Sequence, residues 1–243
     1  MSSHCTNFAK ISQQVLAKEG IVEKGCPMTK KRTPTELLEG AYAIKTADDN
    51  LAYYKHFANH YDAEFATKLG YVYPAMIANF YHKYATETDY PIADIGCGTG
   101  LVAEALKLSQ SHIHGFDISP AMLEQSAAKG LYAALSCIDL TKNINSPKKL
   151  FGAVVSAGTF THGHLGPKPL RKLLNLAAPN ALFCIGVNAQ HYATHGFEAV
   201  LKRMEIERQI TKPKLKNVLM FSNSKYTHGE ATAYILIFRK TKN

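Results

Sequence analysis

The sequence predicts an α/β fold: a mostly parallel sheet with helices on both faces and an antiparallel strand at its C-terminal end. Three observations predict it. From residue 92 onward, short apolar runs alternate with segments of helical period, as in strands joined by crossover helices. The first run passes into a helix through glycines at alternate positions, in "IADIGCGTGLVAEAL", residues 92–106. The last two runs, "NVLMFS" and "TAYILIF", flank "NSKYTHGEA", which reads as a hairpin connection.

The bulk properties are compatible. A chain of 243 residues can bury a sizeable core, and 46% hydrophobic with 19% charged residues fits a globular protein. No apolar run approaches the ~20 residues of a membrane span, and "MSSHCTNFAK" lacks the layout of a secretory signal. The expected compartment is therefore cytoplasmic. The five cysteines form no CxxC or CxxH pair, so free thiols are expected and no metal site; Cys137 and Cys184, in apolar runs, are assigned to the core. The net charge of +9 favours acidic partners. It is spread over Lys30-Lys31-Arg32, Lys168-Arg171-Lys172 and Lys202 to Lys216, the last interrupted by Glu205 and Glu207. Nucleic acid stays open as a partner but is not favoured.

Residues 1–33 show no sustained period and are expected to form a loosely held extension. "TPTELLEGAYAI" begins a helix, with Thr33 as cap, Pro34 in the first turn and Glu36 three residues after the cap. A second helix is expected over 48–68, from Leu51, Tyr54, Phe57, Tyr61 and Phe65 at helical spacing. A third carries Met76, Ile77, Phe80, Tyr81 and Tyr84 on one face. These helices, 34–85, form a lid on a single domain spanning 34–243. Strands follow at 92–95, 112–117, 131–136, 152–157 and 181–187, with helices at 99–109, 120–129, 168–177 and 196–207.

In such a sheet ligands bind at the carboxyl ends of the strands. Asp94 ends the first strand, and Gly96, Cys97, Gly98, Thr99 and Gly100 turn into the helix. A dinucleotide fingerprint needs its third glycine one position later, where Leu101 stands, and no phosphate-binding G-x-x-x-x-G-K-[ST] loop is present. Asp117 ends the second strand, 21 residues beyond Gly96, where a carboxylate can accept ribose hydroxyls. Asp139 ends the third, beside Ile138, where it can accept an adenine amino group. Three carboxylates in register suit a ligand with an ammonium, a ribose and an adenine, and repel pyrophosphate. Singly, each feature has a purely structural reading: Ser119 and Pro120, for example, would cap and start a helix in any case. Together, in this order, they favour the ligand.

"IADIGCGTG", "GFDISPAMLEQSAAKG" and "CIDL" resemble the successive motifs of class I S-adenosylmethionine-dependent methyltransferases. "LAYYKHFANHYDAEFATKLGYVYP" and "FGAVVSAGTFTHGHLGP" narrow the resemblance to the small methyltransferases related to the Williams–Beuren-region methyltransferase-like protein. More loosely, the methyltransferase domain of ovothiol biosynthesis is similar too. The resemblance covers about residues 40–240 and implies a Rossmann-like sheet and S-adenosyl-L-methionine as cofactor. It implies Gly96 and Gly98 against the methionine part, Asp117 on the ribose, Asp139 on the adenine, and Tyr54 and Tyr61 in a covering helix. Asp94, Cys97, Ile118, Met122, Leu140 and Ala157 complete the implied cofactor-binding set. The family's "PGG" turn is here Pro179-Asn180-Ala181, and Asn180 tolerates the left-handed conformation such a turn needs.

The fourth strand end, "SAGTFTHGHLGP", is the acceptor-facing candidate, with His162 and His164 as bases near neutrality; the alternative is that they only fix the turn. Asn188, His191 and Tyr192 are secondary candidates. The tyrosines Tyr53, Tyr54, Tyr61, Tyr71 and Tyr73 are offered either to a flat acceptor or to helix packing. The chain lacks both the [DN]-P-P-[YF] element and the Pro-Cys pair of DNA methyltransferases. The expectation is methyl transfer to a small-molecule N or O acceptor by a monomer or weak homodimer. The alternatives are an RNA methyltransferase or a cofactor-binding protein without transfer activity.

Overall fold

A computed structural model describes residues 33–44, 46–142, 150–223 and 232–241. The expected N-terminal extension up to residue 32, and the hairpin connection over 224–231, lie outside the described residues. The strands are β1 (Ile92–Ile95), β2 (Ile113–Asp117), β3 (Ala134–Cys137), β4 (Phe151–Phe160), β5 (Ala177–Asn188), β6 (Lys214–Leu219) and β7 (Thr232–Arg239). They form one sheet in the order β3-β2-β1-β4-β5-β7-β6. Strands β1 to β5 are parallel where they pair, and β7 runs antiparallel to both β5 and β6. The expected α/β class, with its antiparallel C-terminal strand, is the fold.

Successive residues of a strand face opposite sides, and both sides of the central strands are apolar. Ile92, Ala153 and Val155 pack with Tyr73, Ile77 and Tyr81 of α3 (Tyr73–Tyr84). Ala93, Ile95 and Val154 pack on the other face with Leu170 and Leu173 of α6 (Lys168–Leu173) and with Phe197 and Leu201 of α8 (Phe197–Ile206). Between α3 and α6 in the chain lie α4 (Leu101–Leu106) and α5 (Pro120–Lys129). The first two helices, α1 (Pro34–Tyr42) and α2 (Ala47–Phe57), each begin with a capping box, Thr33 with Glu36 and Thr46 with Asp49.

Several boundaries differ from the sequence reading. The helix expected over 48–68 is α2, a 3₁₀ turn Ala58–His60 and a π-helical segment Tyr61–Thr67, in which Tyr61 stacks on Phe65 at 4.9 Å. Helix α4 is shorter than 99–109 because Lys107 takes a left-handed φ of 52° and stops it. Strand β6 begins at Lys214 rather than 217: it is an edge strand, paired by backbone to β7 and largely exposed, so its side chains carry no apolar pattern. A helix missed by periodicity, α7 (Ala189–Thr194), is only six residues long. Cys184 is buried as expected, but Cys137 is exposed, because β3 is the sheet's other edge. Asn180 has the positive φ (66°) inferred for it.

Candidate active site

A cavity of about 270 Å³ opens at the carboxyl ends of β1 to β4, where strand ends expose backbone groups to a ligand. Its floor is the loop after β1. The amides of Gly96 and Cys97 both donate to the Phe116 carbonyl, at 2.7 and 3.1 Å, folding the loop back on β2. Gly96 has φ +65°, and a Cβ there would run into the side chain of Thr159. Gly98 has φ +55°, and a Cβ there would meet no protein atom within 4 Å. Since Gly98 lines the cavity, that open space is available to a ligand.

Asp117 is held at the mouth of β2. Its Oδ2 accepts the Gly98 amide at 2.8 Å, and its Oδ1 accepts the Ser119 amide at 2.9 Å. A carboxylate has about four lone-pair positions, so both oxygens can still accept hydroxyls from the cavity. Burial pushes its carboxyl above the ordinary range, against the pull of the Ser119 and Gly98 amides. Ile118 and the buried Met122 continue this wall. Beyond them, Ile138, Asp139 and Leu140 form the next wall. Asp139 accepts the Thr141 amide and hydroxyl at 2.9 and 2.6 Å and pairs with Lys142 at 3.3 Å. Partial burial pushes its carboxyl up, but these partners outweigh it and hold Asp139 below the usual carboxylate range.

The wall built by α2 and the segment after it is aromatic. Tyr54 and Tyr61 line the cavity with ring centres 6.2 Å apart, and desolvation raises both phenols, so both stay protonated. Tyr71 joins them on the wall. Tyr53 and Tyr73 instead pack inward, their hydroxyls donating to the carbonyls of Leu37 (2.6 Å) and Tyr234 (3.4 Å). Ala157 and Thr159 close the β4 side.

The two histidines of the β4 loop separate. His164 lines the cavity 6.1 Å from Tyr54, ring to ring. Its Nδ1 lies 3.0 Å from the carbonyl of His162, and only a protonated nitrogen can donate to a carbonyl, so Nε2 holds a lone pair. Desolvation lowers its pKa and keeps the ring neutral. His162 is set back from the cavity, its ring 5.2 Å from His191 and 6.2 Å from His195. His191 holds the Leu165 carbonyl at 3.0 Å through Nε2, and burial pushes its pKa down to about 4. Among the described residues no group of His, Cys, Asp and Glu is arranged to hold a metal. Asn188 caps α7 by accepting the His191 amide at 2.9 Å, and Tyr192 stacks on Phe197 at 5.8 Å. Both have structural employment.

Asp94 also stands behind the loop. It is fully buried, its Oδ2 accepts the Tyr132 hydroxyl at 2.7 Å, and its Oδ1 has no partner among the described residues. Burial pushes its pKa up to about 7; the Tyr132 hydrogen bond opposes this and the charge of Asp117 adds to it. The cavity thus brings together Tyr54, Tyr61, Gly96, Cys97, Gly98, Asp117, Ile118, Met122, Asp139, Leu140, Ala157 and His164, and leaves out Asp94 and His162. Sequence reasoning missed Thr46, Asn50 and Thr159 on its wall. Thr159 lay inside the quoted loop after the fourth strand, with nothing in its own chemistry to single it out; the other two sit at the start of α2, with no chemical motif around them.

This arrangement defines a class I S-adenosylmethionine-dependent methyltransferase fold, and the comparisons agree. Residues 92–180 match the family described as "Methyltransferase domain". Human "Methyltransferase-like protein 27" is 32% identical over 177 residues, covering 69% of this chain and 71% of its own length. The chain belongs to the family of Methyltransferase-like protein 27, the Williams–Beuren-region methyltransferases. Two solved structures share the fold at 14% identity. A SAM-dependent methyltransferase of Thermotoga maritima matches 79% of this chain and 99% of its own, with a TM-score of 0.52. The plantazolicin methyltransferase BpumL, solved with SAH and a monoazolic desmethylPZN analog, matches 85% of this chain and 97% of its own, with a TM-score of 0.55. Among the described residues no helix is long and apolar enough to cross a membrane.

Proposed function

We propose that the chain binds S-adenosyl-L-methionine in this cavity and transfers its methyl group to a nitrogen or oxygen of a small-molecule acceptor. The observation that carries this is the placement of Asp117, with spare lone pairs, in the same cavity wall system as His164 and Tyr54. The residues fit the cofactor. The open space at Gly98 admits its methionine part past Gly96 and Cys97, Asp117 accepts the ribose hydroxyls, and Ile138, Asp139 and Leu140 take the adenine, with Ile118 and Met122 beneath it. When bound, the cofactor supplies an electrophilic methyl group on a sulfonium. Tyr54 and Tyr61 then cover the site and exclude water, and Ala157 bounds it on the β4 side. Asp94 stays behind the loop, where its carboxyl accepts the Tyr132 hydroxyl.

Holding donor and acceptor in line is the main catalytic contribution in this reading, with His164 as the residue that touches the acceptor. His162 acts through its carbonyl, which orients His164. The proposed setting is the cytosol, as a monomer or weak homodimer. A transfer assay with labelled S-adenosylmethionine and a fractionated pool of small metabolites tests the proposal; label that enters no small-molecule fraction contradicts it. The net charge of +9 favours a second reading, transfer to RNA. That reading requires RNA affinity falling steeply with salt, and a flat dependence removes it.

A further inference from the structure

We propose that the acceptor is a hydroxyl on a flat aromatic ring, and that His164 Nε2 takes its proton during transfer. The inference rests on the methyltransferase reading and adds the acceptor class to it. Its basis is the fixed tautomer of His164. The His162 carbonyl occupies Nδ1–H, which leaves Nε2 as the single unprotonated nitrogen on a cavity-lining ring. Desolvation disfavours its protonation before substrate arrives. Such a group serves little purpose for an aryl amine, whose nitrogen is unprotonated at neutral pH, attacks with its own lone pair and sheds a proton to water afterwards. An azole likewise presents an unprotonated ring nitrogen. A hydroxyl oxygen becomes a strong nucleophile only as its proton leaves, and needs a base in reach.

The shape of the site selects the ring. Tyr54 lines the same cavity as Asp117 and His164, with its ring 6.1 Å from that of His164. Tyr61 follows at 6.2 Å. Aromatic faces and edges at these spacings favour a flat, unsaturated guest. In the step itself, the acceptor oxygen bonds to the methyl carbon as that carbon's bond to the sulfonium sulfur breaks. The sulfur keeps the electron pair, and the hydroxyl proton passes to Nε2 and later to solvent. The products are an aryl methyl ether and the neutral thioether.

Matched probes test this. The full chain is offered labelled S-adenosylmethionine with phenol, catechol, 1-naphthol and 7-hydroxycoumarin, and separately with aniline and 1-naphthylamine. Binding of S-adenosylhomocysteine is measured by calorimetry in parallel. The expected result is methyl ethers from hydroxyarenes, faster than any N-methylation, with the rate reduced about 100-fold or more in His164→Ala while that variant keeps its S-adenosylhomocysteine affinity. Bound S-adenosylhomocysteine with no methyl ether from any probe, preferred methylation of the amines, or an undiminished rate in His164→Ala each overturns the inference alone. No binding of S-adenosylhomocysteine by the parent chain overturns the methyltransferase reading with it.

Discussion

Thr99 of the glycine loop donates its hydroxyl to Asp62 of the π-helical segment Tyr61–Thr67 at 2.6 Å. The other oxygen of Asp62 pairs with Lys129 at the end of α5, also at 2.6 Å, and Gln125 on the same helix donates to Asn59 at 2.7 Å. The irregular turns between α2 and α3 are therefore tied to the loop that forms the cavity floor, and local π-helix is a recurrent feature of functional segments. Asp62→Ala is expected to weaken S-adenosylhomocysteine binding by about 1 kcal/mol, below the usual range for a charge-assisted hydrogen bond because Asp62 is partly exposed and acts only through the loop. Calorimetry reads the affinity, and amide exchange should quicken over residues 58–67. Unchanged exchange there would mean that the tie does not hold this segment.

Asp117 should carry more. Asp117→Ala removes the proposed ribose acceptor and takes the carboxylate away from the Gly98 and Ser119 amides. The expected loss of cofactor affinity is about 1–3 kcal/mol, again by calorimetry. Wild-type affinity in this variant would refute the ribose assignment.

The two cavity glycines should respond differently. In Gly96→Ala the new methyl meets the Thr159 side chain at a positive φ, so the loop must shift and the thermal midpoint should fall; the left-handed conformation alone costs roughly 1–2 kcal/mol. In Gly98→Ala the methyl meets no protein atom. That variant should lose little beyond the backbone term while losing cofactor affinity, because the methyl enters the ligand's space. Equal effects on folding and binding in the two variants would contradict this geometry.

Two buried carboxylates predict opposite pH dependences. Burial pushes Asp94 up to about 7, above an unfolded value of about 3.9. Between these values the folded chain keeps a proton that the unfolded chain has lost, so stability falls as pH rises through the window. Asp94→Asn should flatten that slope and stabilise the protein at pH 8 by about 1–3 kcal/mol, measured by denaturant titration at several pH values. Asp89 behaves in the reverse sense. Burial pushes it up, but Arg239, at 2.8 and 2.9 Å, and the Thr86 amide and hydroxyl outweigh this and hold it below the usual range. Its contribution is complete above the unfolded pKa and is lost as pH falls through the folded one. Arg239→Ala should destabilise by about 3 kcal/mol at neutral pH, because it leaves a buried carboxylate unpaired.

The elements legible in the sequence were those whose signal is local. The capping pairs Thr33–Glu36 and Ser119–Pro120 mark helix starts by their own chemistry, and β1 is bounded by the glycines that follow it. The glycine spacing and the carboxylates Asp117 and Asp139 were legible for the same reason, and both carboxylates line the cavity. What was not legible depends on partners far along the chain. Strand β6 is set by its register with β7, not by its own exposed side chains. In the broken part of the second helix, Asp62 is docked on Thr99, 37 residues away. His162 and His164 look equivalent in "THGHLG"; only the loop's path turns one ring into the cavity and the other toward His191.

The central claim is that this cavity takes an adenosyl sulfur ligand. The most direct measurement is calorimetric titration of the purified chain with S-adenosylhomocysteine, with NAD as the control. Saturable binding of S-adenosylhomocysteine near the micromolar range, with none of NAD, is the predicted result. No binding of S-adenosylhomocysteine, or equal binding of NAD, would contradict the account.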